Sequence, residues 1–124
     1  MLLSSQNIDI KEDPTFGSNC LHFSFKGKFT EEASILATQA WSTEFDSNPT
    51  TSYSFLWDCL KMDGFEIAAR KEWYRCMKIY KDRISKVCVV SDSILIRGAA
   101  RVMLQFFGIP STIVKSFDDL LETT

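Results

Sequence analysis

Hydrophobic and polar positions alternate from Cys20 to Phe29 (CLHFSFKGKF). Leu21, Phe23 and Phe25 point one way, and His22, Ser24 and Lys26 the other. A period of two marks a strand with one buried face. Asn7–Lys11 alternates over a shorter stretch, and Asp13, Pro14 and Gly17 between the two runs carry turn chemistry. Together they predict an antiparallel hairpin. After Thr30, an N-cap followed by Glu31 and Glu32, the pattern becomes helical, with Ala33, Leu36, Ala37, Ala40 and Trp41 as the apolar stripe. The polar loop Asp46–Thr51 ends that helix. Tyr53, Phe55 and Trp57 then alternate in a strand expected to span Tyr53–Cys59.

A short polar turn is expected after Asp58, and a second helix from Phe65 to Arg83 with Phe65, Ala69, Trp73, Cys76 or Met77, and Tyr80 inward. Lys86–Val90 (KVCVV) reads as a parallel strand. Ser91 or Ser93 caps a third helix, which stops before Gly108 and Pro110. Ser111–Lys115 is a last strand, and Ser116 with Asp119 opens a short terminal helix bearing Leu120 and Leu121. The order ββαβαβαβα predicts an α/β fold: a mainly parallel sheet of four to five strands, an N-terminal antiparallel hairpin, and helices packed on the sheet. Neither a repeat nor a dividing linker is visible, so residues 1–124 are expected to form one domain with its core at about 8–122.

At 124 residues, 45% hydrophobic and 13% aromatic, the chain can bury a core without metal or disulfide support. No signal-like leader is apparent, and Ile94–Phe107 is interrupted by Arg97 and Arg101 and too short to span a bilayer. Cys20, Cys59, Cys76 and Cys88 form no C-x-x-C pair, and His22 is the sole histidine, so free buried thiols and no metal are expected. These features predict a soluble cytoplasmic protein with no transmembrane segment. A Cys59–Cys88 bridge is the exception to watch, since both residues lie on strands expected to be neighbours.

Net charge is −2, but its distribution is uneven. Residues 1–69 carry four Lys/Arg against ten Asp/Glu, whereas residues 70–101 carry nine against three. Lys71, Arg75 and Lys78 form a basic row on the second helix, able to meet an acidic partner or anionic headgroups. Nucleic acid is a poorer fit, because the chain is net acidic and the aromatics alternate into the core. Gly27, Gly64 and Gly98 are isolated, so no phosphate loop exists. The junction around Asp58, Lys61, Asp63 and Glu66 offers a polar surface without a nucleophile or cofactor motif. It suits recognition of a partner or ligand rather than bond-making, and no catalytic residue or cofactor is assigned.

The stretches FKGKFTEE, FLWDCLKMDGFEIAARKEW, KVCVVSD and VKSFDDLLE, in this order, resemble the STAS superfamily, and its SpoIIAA-like branch in particular, over about residues 8–122. That resemblance implies an anti-sigma-factor-antagonist-like, non-enzymatic regulatory domain that binds another protein. In such antagonists a serine near the start of the second helix is phosphorylated, adding charge at a contact surface. Aligning Asp58 with the strand-end Asp of the pattern puts Glu66 and Ile67 where the family has Asp and the acceptor Ser. The phosphorylation switch is therefore not expected here. A receiver-like phosphoryl acceptor at Asp58, with Asp92 and Lys115, is an alternative that lacks the acidic pair needed to hold Mg²⁺.

The third helix is apolar around most of its circumference: Leu95, Val102, Met103, Leu104, Phe106 and Phe107 leave only Arg97, Arg101 and Gln105 as a polar row. Such a helix is expected to be covered on more than one side. The neighbouring helix and the chain termini are candidate covers, and a homodimer partner is one as well. A small apolar or anionic, lipid-like ligand, carried or sensed between helix and sheet, is another.

Overall fold

The computed structural model describes residues 1–122; residues 123 and 124 of the expected single domain lie outside the described residues. β2 (Ile8–Glu12) and β3 (Cys20–Phe29) form the antiparallel hairpin, with Ile8 opposite Phe25 and Ile10 opposite Phe23. A two-residue strand, β1 (Leu3–Ser4), pairs with β2 and brings the sheet to six strands rather than four to five. It is too short to give a periodic signal. β4 (Tyr53–Phe65), β5 (Ile84–Val90) and β6 (Ser111–Val114) then add in parallel, each beside its predecessor, in the order β1-β2-β3-β4-β5-β6.

That sequential order decides where the helices lie. Each crossover steps to the next strand in one direction, and right-handed crossovers then put successive helices on one face. Accordingly α1 (Glu31–Ser47), α2 (Ile67–Tyr80) and α3 (Ile94–Phe107) bury Trp41, Trp73 and Leu104 in a single cluster with Phe23, Phe55 and Trp57 of the sheet. Trp73 is its hub, with ring centroids 5.5–6.1 Å from those of Phe23, Phe25, Phe29, Trp41 and Trp57. The opposite face is covered more thinly. There the terminal helix α4 (Phe117–Glu122) seats Leu120 against Cys20, Leu56 and Val90, and Ser116 Oγ accepts from Asp119 N–H as the capping pattern predicts.

Two elements depart from the expected pattern. The strand predicted to end at Cys59 runs on to Phe65, and the expected turn through Asp63 and Gly64 is absent. β4 instead has two irregularities against β3, one between Asp58 and Lys61 and one between Met62 and Gly64. Each inserts an extra residue, and such bulges use the same Gly and Asp residues that punctuate turns. Gly27 on β3, at φ 66°, meets the second irregularity, and Asn7 Nδ2 donates to the flanking carbonyls of Lys26 and Lys28 at 3.3 and 3.1 Å. Helix α2 consequently starts at Ile67 and ends at Tyr80, followed by a 3-10 turn at Lys81–Arg83.

The second departure is a rotation of α1. Leu36, expected inward, is exposed, while Ser34 and Thr38 are buried. Small side chains let α1 approach α2 closely. Ser34 Oγ donates to Ala69 O at 2.8 Å, and Thr38 Oγ1 donates to Glu72 Oε2 at 2.6 Å. Polar groups at this crossing stabilise it because each finds a partner there.

Candidate functional site: the groove between α2 and α3

Helix α3 is strongly one-sided in its packing. Ser93 Oγ accepts from Ile96 N–H to cap it, and Gly108, at φ 68°, ends it with its N–H on Gln105 O. Ser91, the other expected cap, is fully buried, with its Oγ accepting from Ser93 N–H. Ile96, Ala100, Met103 and Leu104 face the sheet. Leu95, Val102 and Phe106 remain 84%, 63% and 72% exposed, and Ile94 is exposed beside them. At helical spacing Leu95, Val102 and Phe106 lie on one flank. Arg97 and Arg101 lie on the other. Arg97 donates to Ser91 O at 2.8 Å.

The apolar flank meets α2 at its C-terminal end, through Phe106. Tyr74 of α2 meets Phe106 and Phe107 at ring-centroid distances of 5.9 and 5.4 Å. Away from these rings the two helices touch far less than α1 and α2 do. The gap opens a cleft of about 70 Å³ whose floor is Phe25, Phe29, Trp57 and Trp73, with Arg70 on one wall and Ala99 and Met103 on the other. Ile67, Arg70, Tyr74 and Lys78 follow one another at helical spacing along the α2 wall. Ile67, Arg70 and Lys78 are exposed. Tyr74 gave no sign of this surface in the sequence, because only the placement of α3 makes it a neighbour of Phe106.

The polar residues expected to form one surface are not brought together. Asp58 sits within β4, opposite Ser24 and Val90, and its Oδ1 accepts from Leu60 N–H at 3.1 Å. It is therefore not a strand-end residue. Lys61 and Asp63 are exposed on the bulged extension of β4. Glu66 precedes α2 but serves α1: its Oε1 accepts from Glu31 N–H at 2.7 Å. A contact between residues 35 positions apart leaves no local signal. Arg75 is tied to Glu72 through Nε at 2.7 Å and Nη2 at 2.8 Å, and this pairing holds the Glu72 carboxyl below its ordinary range. Lys71 and Lys78 remain exposed. Of the third-helix residues, Met103 and Leu104 are buried and Phe107 is half-buried.

The opposite face of the sheet has a different character. A hollow of about 260 Å³ under α4 is lined by Cys20, Ser54, Leu56, Lys86, Cys88 and Leu120. Cys59 lies in the helix-covered cluster, whereas Cys88 packs on the α4 side, so the two point to opposite faces and cannot bridge. All four cysteines are free, and burial pushes each thiol up, that of Cys76 to about 12. No group of three or more His, Cys, Asp or Glu side chains among the described residues could hold a metal ion. No helix among them is long and apolar enough to cross a membrane.

No family model and no curated protein matches the chain. Solved structures do match its fold. An uncharacterized protein of the DUF3478 family from Shewanella loihica PV-4, described as having a SpoIIAA-like fold, superposes with a TM-score of 0.72. Its identity is 20%, and the match covers 97% of each chain. The anti-sigma factor antagonist SpoIIAA, in its unphosphorylated form, superposes with a TM-score of 0.66 at 10% identity, over 94% of this chain and 96% of that one. The chain has a SpoIIAA-like fold.

Proposed function

We propose that the protein is a non-enzymatic, STAS-like regulatory domain that acts by binding another protein through the α2–α3 surface. The observation that carries this reading is the exposed apolar flank Leu95, Val102 and Phe106 on a helix whose other face is well packed. Exposed apolar residues grouped in this way mark interaction surfaces more often than chance. The start of α2 carries Ile67, Ala68 and Ala69, none of which can accept a phosphate. Control is therefore expected to come from partner availability rather than from phosphorylation at this site.

The test is affinity purification from the native host with wild type and with Leu95→Asp. A protein retained by wild type and lost from the folded variant supports the proposal. Equal recovery with both, or none with either, removes it. A second reading, a carrier or sensor of an apolar ligand, draws on the aromatic floor of the same cleft. About 70 Å³ holds only a few methylene groups. An acyl chain would need α2 and α3 to separate, and native mass spectrometry of the host-purified protein would reveal a retained ligand.

A further inference from the structure

We propose that the α2–α3 groove receives an acidic amphipathic helix of a partner protein, a mode in which apolar anchors enter a hydrophobic groove and flanking charges set orientation. This inference rests on the protein-binding reading above and specifies the chemistry of the partner. Leu95, Val102 and Phe106 lie at i, i+7 and i+11, a span of about 16 Å at the helical rise. A partner helix of about three turns matches that length, with apolar residues at i, i+4, i+7 and i+11.

Charge selects the acidic partner. The α2 wall presents Arg70 and Lys78, with Lys71 beside them. Among the described residues none of these three is in an ion pair. Helix α3 contains no Asp or Glu between Ile94 and Phe107. The acids nearest on α2 are already engaged, Glu66 by Glu31 N–H and Glu72 by Arg75 and Thr38, while Asp82 and Asp92 lie beyond the helix ends. The groove is thus apolar along its middle and cationic along one wall, and neither helix carries an exposed carboxylate. A flat anionic membrane would leave the recess beside Arg70 empty, whereas one apolar side chain of a docked helix can enter it.

The experiment uses two synthetic peptides with the same leucine face, one flanked by Glu and the other by Lys, titrated into the full chain by calorimetry. The Glu peptide is expected to bind at least about tenfold more tightly than the Lys peptide and to weaken with added salt. Leu95→Asp and Val102→Asp, both at exposed positions, should stay folded by circular dichroism and lose the Glu peptide by more than about tenfold. The double variant Arg70→Glu/Lys78→Glu should reverse the preference in favour of the Lys peptide. Equal binding of both peptides, or binding unaffected by both α3 variants, would overturn the inference. So would sedimentation with phosphatidylcholine–phosphatidylglycerol vesicles in the absence of Glu-peptide binding, or self-association abolished by Val102→Asp. If the peptides fail while a host protein is still lost from Leu95→Asp, this inference falls and the protein-binding function stands.

Discussion

Glu72 is held between Thr38 Oγ1 and the Arg75 guanidinium, and the Arg75 hydrogen bonds place its carboxyl below the ordinary 4.5. A carboxylate depressed on folding contributes stability in full above its unfolded value, and that contribution is lost as pH falls through the folded one. Thermal melts from neutral pH down to about pH 3 should therefore show wild type above Glu72→Gln at pH 7, with the gap closing on acidification below 4.5. Thr38→Val removes a donor to a charged group and should cost about 1.5–3 kcal/mol by chemical denaturation. At Gly27 the φ of 66° penalises any side chain, although a Cβ there would meet only Asn7 Nδ2 at 3.6 Å. Gly27→Ala should cost about 1–2 kcal/mol of conformational strain. Gly27 stood in the sequence as one of three isolated glycines, and only the register of β3 against β4 gives it a reason.

Among the elements, α3 has the clearest consequence for mutagenesis. A helix apolar nearly all round does not announce in its sequence whether Met103 or Leu104 lies on the buried face. Both are inward, at 8% and 0% exposure. Met103→Glu and Leu104→Glu should each lower stability by about 3–5 kcal/mol by burying an unpaired charge. Val102→Glu should leave the melting temperature nearly unchanged. A homodimer through this helix would have to use Ile94, Leu95, Val102 and Phe106. Helix caps were more legible: Thr30, Ser93, Gly108 and Ser116 act where their types suggested, because capping is satisfied within a few residues. The end of β4 was not, because Asp63 and Gly64 serve a bulge as readily as a turn.

For the whole molecule, sequential strand order and right-handed crossovers leave a thick helix-covered side and a thin one closed by α4. The cysteines divide between these sides, and burial raises every thiol. Thiol titration with an aromatic disulfide should be slow in native protein, with half-buried Cys88 reacting first, and complete at all four sites in denaturant.

The sequence by itself determined the succession of elements from β2 onward, the antiparallel start, the parallel remainder and most caps, because these follow from periodicity and from contacts within a turn of chain. It also determined the uneven charge, with cations concentrated from residue 70 to residue 101. Only the tertiary structure decided which face of α3 stays bare, that Ser34 and Thr38 replace Leu36 inside, and that Glu66 caps α1. It alone placed Asp58 within β4, opposite Ser24 and Val90, and set Tyr74 against Phe106. Each of these outcomes depends on how one helix sits against another across the sheet, and that placement is set by packing between residues tens of positions apart, which local periodicity does not encode.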